Sequence, residues 1–378
     1  MKSLRKFRRA VFLGILLCPA IAQTPRISPE ARQYLDRAFQ LIEKNNLYRD
    51  QIDWKPLLHE AKQYAAGAQS SFETYPAILY ACAKPRNKIC ELITPENTPV
   101  AVQQQCQSLA VSFHARPHAI PLIKTHPSPF VNRALLYATI PVNGRKYGYV
   151  VIPRCASSYT EYADPHLRHA WAENLYSAIT RGGSEHVQGW ILDLRGNSGG
   201  GYLATMLAGV QSLLGEEQVL ITRGRSRTTY YSIHQQQVLM GAGKHPAQTG
   251  EHIDEAVDYS AGALPVVLLH DRGTEGAAES LLIAFKGRSN TLFLGRRTAG
   301  YTQVGTFWPL ADGAVLWVAQ EEVFDRNRQP YAEGIEPDIE IDGPSAPTRI
   351  TFDPAVQKAE EWLLQRTATP IPSHSPEP

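Results

Sequence analysis

Cysteine and methionine are scarce in this chain, at five and three among 378 residues. Neither sign of charge is in excess: 38 Lys and Arg stand against 36 Asp and Glu, a formal +2. That balance lacks the basic surplus of an ordinary nucleic-acid binder. No internal repeat is present, and no period or charge excess of the kind that marks a collagen, a coiled coil or a mainly disordered polymer. Past the first segment no apolar run is long enough to span a membrane. Cys-x-x-Cys is absent, and Pro117 between His114 and His118 spoils a shared helical face, so neither a metal nor another cofactor is expected. What is present, 43% hydrophobic and 20% charged residues, suffices for one large core with a smaller companion.

The opening MKSLRKFRRAVFLGILLCPAIAQT sets Lys2, Arg5, Lys6, Arg8 and Arg9 before an apolar run from Ala10 to Leu17. Ala20-Ile21-Ala22 then supplies a small-x-small cleavage site. Residues 1–22 therefore read as a secretory signal. Arg8-Arg9 fits the twin-arginine pattern only loosely, and Leu17 is too large for the residue that precedes a lipoprotein cysteine such as Cys18. Cleavage after Ala22 removes five cations and no acid, which turns +2 into −3 and sends the chain to the periplasm or beyond. Cys82, Cys90, Cys106 and Cys155 remain, and an oxidising compartment allows them three pairings. The Pro- and Ser-rich run 367–378 predicts a disordered tail.

Residues 23–116 pattern as short helices. Ser28-Pro29-Glu30 makes a helix start, followed by the stripe Ala31, Leu35, Phe39 and Ile42. Asp53 and Thr74 are placed to cap two more helices, the second with Ile78 and Leu79 inward. Residues 117–134 read as a linker. From residue 135 to 366 strands alternate with helices, the pattern of a layered α/β domain. Asn143-Gly144 marks a hairpin. A helix from Asp164-Pro165 carries Leu167, Trp171, Leu175 and Ile179. Buried strands follow at 189–194 and 265–270, and each runs through a glycine-bearing loop into a helix. Residues 291–294 form another strand, Asp312-Gly313 turns a hairpin, and Asp353-Pro354 opens a closing helix with Val356, Ala359 and Leu363.

The loop Arg195-Gly-Asn-Ser-Gly-Gly-Gly201 lacks the Gly-Lys-Ser/Thr of a phosphate cradle and the glycine spacing of a dinucleotide fold. Its exposed backbone N–H groups suit an oxyanion instead, although a tight turn would need the same glycines. GWILDLRGNSGG (189–200) resembles the signature of the C-terminal processing peptidases, or tail-specific proteases. The resemblance continues in order through VVLLHDRGTEGAAE (266–279), TLFLGRRTAGYT (291–302), LADGAVLWVA (310–319) and EGIEPD (333–338). It implies an α/β, layered ClpP/crotonase-like core domain preceded by a small all-helical N-terminal domain, as in the subfamily without a PDZ domain. It also implies a serine-type hydrolase acting on polypeptides or protein C-terminal segments.

The family's nucleophile lies in a T-A-S-x-x-E pattern that here reads Thr274-Glu275-Gly276-Ala277-Ala278-Glu279. Gly276, at the nucleophile position, cannot form an acyl-enzyme. The lysine base of the processing peptidases falls at Tyr301, and the histidine of a tricorn-like branch falls at Ile89. Backbone amides near Gly199, Gly200 and Ala277 are placed to bind a carbonyl. Ser280 and His270 are weak substitutes for nucleophile and base, Ser198 reads as a turn residue and Cys90 as a disulfide partner. Three functions stay open: a peptide-binding homologue without normal hydrolysis, a peptidase with a relocated nucleophile, and a scaffold with a vestigial cleft. Oligomeric state is not legible.

Overall fold

A computed structural model describes residues 26–83, 90–112, 135–156, 159–199, 201–243, 248–341 and 350–368. The expected signal (1–22) and linker (117–134) lie outside the described residues, as does 369–378 of the expected tail; Thr367 and Ala368, assigned to that tail, instead continue the last helix. In chain order the elements are α1 (Pro29–Asn45), α2 (Trp54–Gln63), α3 (Tyr75–Ala83), β1 (Cys90–Ile93) and α4 (Val100–Ser112). Then come β2 (Leu136–Val142), β3 (Arg145–Val151), α5 (Tyr159–Ala163), α6 (Pro165–Ser184), β4 (Trp190–Asp193) and α7 (Leu203–Leu214). A meander follows: β5 (Gln218–Gly224), β6 (Thr228–His234), β7 (Gln237–Gly241) and β8 (Gln248–His252). The chain continues with β9 (Val266–His270), α8 (Ala277–Phe285), β10 (Thr291–Gly295), β11 (Val304–Pro309), β12 (Val315–Asp325), β13 (Ile339–Glu340) and α9 (Pro354–Ala368).

The strands form two sheets. One has the order β13-β10-β9-β4-β3-β2, parallel throughout except for the edge strand β2. Asn143 (φ 50°) and Gly144 (φ 77°) turn the β2–β3 hairpin in the left-handed conformations that such a two-residue loop requires. Both faces of β4 and β9 are covered, which is why they read as continuous apolar runs. Val150, Leu192 and Leu268 face α6, α7 and α8, while Tyr149, Ile191 and Val267 face Val356, Ala359 and Leu363 of α9. Asp353 caps α9 through the Ala355 N–H and accepts from Arg195 Nη2 at 2.6 Å; that guanidinium also holds Asp193 at 2.8 Å. This buried set ties α9 to the end of β4.

The second sheet runs β1-β12-β5-β6-β7-β8, with β11 paired to β12. Its inner face packs on α7 and α8, and every residue of α7 is buried between the two sheets. The meander β5–β8 carries no assignment in the sequence pattern, because its strands alternate buried and half-exposed residues around polar side chains.

The front region is helical apart from β1, which pairs with β12 antiparallel (Cys90↔Val318). It does not close a core by itself: Leu35, Phe39, Ile42 and Ile78 share one cluster with Leu310, Ala314, Leu316 and Val318. Ser28 caps α1 as expected, accepting from the Ala31 N–H at 3.1 Å. Asp53 stands at the N-cap of α2 without a side-chain bond. Thr74 does not cap α3, since its hydroxyl donates to Ser71 O in a preceding 3-10 turn. Leu167 departs from the expected apolar face and is 52% exposed in the first turn of α6. Of the three possible cysteine pairings the fold makes the Cys82–Cys90 bond, between the end of α3 and the start of β1; Cys106 and Cys155 stay thiols. Among the described residues no helix is long and apolar enough to cross a membrane.

Candidate active site

Three neighbouring parallel strands, β4, β9 and β10, release their following loops at the same sheet edge, where open parallel sheets gather ligands. The first two loops are stitched together. Asp271 Oδ1 accepts from the Gly196 N–H (3.0 Å) and the Gly273 N–H (2.9 Å), and the Glu275 N–H donates to Asn197 O at 2.9 Å. Thr274 Oγ1 donates to Leu194 O at 3.0 Å, and Thr274 O receives the Ala299 N–H of the third loop at 3.0 Å.

Gly276 occupies the N-cap of α8 with φ 56° and ψ −119°. An L side chain there is strained, as at the sharp strand-to-helix turn of many hydrolase nucleophiles. Space is not the obstacle. A Cβ on Gly276 would touch only the Cα of Gly199, at 3.6 Å, so the two glycines face each other across the site. Gly199 is itself left-handed (φ 79°), and its N–H points to Asn197 Oδ1 at 3.3 Å. Ala277 opens α8, where the N–H has no acceptor within the helix.

Glu279 is the organising residue that the sequence reading left without a role. It sits three residues past the N-cap and is fully buried. Its Oε2 accepts from the Gly276 N–H (3.0 Å) and the Tyr301 N–H (2.6 Å). Its Oε1 accepts from Thr298 Oγ1 (2.5 Å) and the Gly300 N–H (2.5 Å). Burial raises the carboxyl pKa, and the four donors pull it the other way. One carboxylate thus clasps the loop of Gly276 to the loop of Tyr301. The signal was an acidic residue three positions after a helix start, which makes one half of a capping box by accepting the N-cap N–H; Gly276 has no side chain to make the other half.

Tyr301 is tied to Gly276 through its backbone N–H, by way of Glu279. Ile89 and Gly200 lie outside the described residues. Ser280 is buried one turn along α8, and its Oγ donates to Gly276 O at 3.4 Å. His270 ends β9 as a buried imidazole: Nδ1 donates to Arg296 O at 2.8 Å, and Nε2 is enclosed without a partner. Burial lowers its pKa to about 4 and keeps it neutral. No hydrogen bond joins His270 to Ser280, so these two substitutes do not form a nucleophile–base pair among the described residues. Electrostatically, Arg154, just past β3, feels three acids, Glu161, Glu275 and Glu91. Burial pushes the Glu91 carboxyl up to about 7, opposed by Arg154.

The sequence pattern of peptidase family S41 matches residues 146–341, which carry all three loops. The chain is 22% identical over 357 residues to a nisin-resistance protein of Lactococcus lactis subsp. lactis, covering 94% of each. It is 28% identical over 178 residues to the chloroplastic C-terminal processing peptidase of Tetradesmus obliquus, covering 46% of this chain and 33% of that one. Among solved structures, a lipoprotein from Streptococcus agalactiae superposes with a TM-score of 0.62 at 18% identity, over 90% of this chain and 98% of that one. With the match spanning just over half its length and the layered fold in place, this chain belongs to peptidase family S41.

Proposed function

We propose that this protein is a non-hydrolysing member of the family that holds extended polypeptide segments against its strand-end loops. Gly276 carries the reading: the turn that would present a nucleophile presents a hydrogen atom, while the loops around it keep their bonds. The Ala277 N–H at the open start of α8 offers a backbone donor to a substrate carbonyl, and extended peptides pair with such main-chain groups. Ser280 does not restore hydrolysis, because its hydroxyl is buried and spent on Gly276 O. The basic and apolar N-terminal segment, and full-length similarity to a protein named for nisin resistance, support an exported setting at the cell envelope.

The test uses a serine-directed fluorophosphonate probe and a fluorescent peptide library with free C-termini on the purified chain. Saturable peptide retention without labelling is expected. Labelling that Ser280→Ala removes would establish a relocated nucleophile, and failure to retain any peptide would leave a scaffold. Because Tyr301 replaces the family's lysine, Gly276→Ser is expected to leave hydrolysis undetectable. Turnover by that variant would overturn the assignment of the lost base.

A further inference from the structure

We infer that the corner where α6 meets the end of β8 is a divalent transition-metal site of the zinc class, with His169, His252 and Asp254 as ligands and Glu251 orienting the His169 imidazole. His169 and Glu173 stand four apart on one face of α6. His252 ends β8 and Asp254 follows two residues on in a bend, which sets its carboxylate beside the His252 ring. The fold brings these pairs together although His169 and Asp254 are 85 positions apart in the chain.

The geometry fits ligands around one ion. His169 Nε2 lies 3.4 Å from Asp254 Oδ2, and His252 Nε2 lies 3.2 Å from Asp254 Oδ1. Four ligands at 2.0–2.1 Å from a tetrahedral centre are separated by roughly 3.3–3.4 Å. The ligand atoms of all three residues fall within 4.8 Å of one another, and the two rings stack at 4.7 Å. The opposite ring edges supply the second observation. His169 Nδ1 is 3.3 Å and His252 Nδ1 3.8 Å from the same oxygen of Glu251. Glu251 is buried, and its other oxygen accepts from Thr205 Oγ1 at 3.1 Å. A carboxylate behind a histidine fixes the Nδ1–H tautomer and aims the Nε2 lone pair at a metal. Here Glu251 does so for His169, and the same oxygen anchors His252 by accepting its backbone N–H at 3.1 Å; both Nε2 atoms lie beside Asp254.

Glu173 Oε1 accepts from the Asp254 N–H at 2.7 Å and lies 3.8 Å from His169 Nε2, which makes it the nearest candidate for the fourth position. Two imidazole nitrogens with carboxylate oxygens suit zinc and its neighbours and disfavour magnesium and calcium. The side chains of His252 and Asp254 are 49% and 68% exposed, so an ion can enter from solvent. Thr205 lies in the first turn of α7, directly after the glycine loop, so the corner is anchored to the same helix that the candidate active site precedes.

Zinc titration of the chelator-treated full chain by calorimetry tests this inference, with Co²⁺ absorption reporting the coordination geometry. One Zn²⁺ per chain, a tetrahedral cobalt spectrum and loss of both in His252→Ala/Asp254→Asn are expected. Both substitutions are at exposed positions, and circular dichroism checks the fold of the variant. Glu251→Gln should weaken binding roughly 10–100-fold while leaving the stoichiometry at one. Absence of saturable uptake, or uptake that the double variant leaves unchanged, would overturn the site.

Discussion

At the ends of β4, β9 and β10 the described loops are held by backbone bonds, from the left-handed Gly276 to the four-donor clasp on Glu279. What that region lacks is a side chain at Gly276. The corner between α6 and β8 is the reverse: two imidazoles and their carboxylates converge there with no sequence motif and no glycine loop. The first region is marked by motifs in the sequence, and its clasp closes over 19–22 positions in the chain. The second depends on packing over a longer range, which brings His169 to Glu251 and Asp254, 82 and 85 positions away.

The sharpest way to break this contrast is to remove the clasp. Glu279→Ala would strand three backbone N–H groups and the Thr298 hydroxyl in a buried place, each worth about 1–3 kcal/mol. A loss of at least ~4 kcal/mol is expected in denaturant unfolding. A loss near zero would show that the loops stand without it.

The next effect belongs to His270, whose folded pKa of about 4 lies below its ordinary 6.5. Between those values the unfolded chain binds the extra proton, so stability falls as pH drops from 6.5 towards 4 and levels off below. The full span amounts to about 3 kcal/mol. Glu91, raised to about 7, works in the opposite sense, its share of stability being lost as pH rises towards 7. The measurement is therefore the difference between the wild type and His270→Leu across that window. Parallel curves would mean that His270 titrates normally.

A smaller effect separates strain from space at Gly276. Gly276→Ser meets no clash but must hold φ 56°, which costs about 1–3 kcal/mol by thermal unfolding. A variant as stable as wild type would show that the turn had relaxed. The smallest effect is expected at the corner: Glu173→Ala, without added metal, should cost less than about 1 kcal/mol, because it removes a half-buried 3.8 Å pair with His169 and a bond from the Asp254 N–H that solvent can replace.

Much of the frame was readable from residues alone. Ser28 with the Ala31–Ile42 stripe gave α1, Asn143-Gly144 gave the β2–β3 turn, and the apolar runs at 189–194 and 265–270 gave the two central strands. Each is a short-range signal, set by a cap, a positive φ or a side-chain period. The same signals failed where partners decide the outcome. Thr74 found Ser71 O instead of a helix N–H, and β1 appeared inside a helical region because β12 offered it an edge.

The chain's order of residues by itself determined the family likeness, the absence of a serine at 276 and the strand-to-helix turns that frame it. Only the tertiary structure decided that Cys82 pairs with Cys90, that Glu279 joins two distant loops, and that His169 meets His252 and Asp254. The reason is range. Backbone preference and amphipathic period act over a few residues, whereas disulfides, buried carboxylates and metal ligands depend on which distant segments the packed core brings within about 3–4 Å.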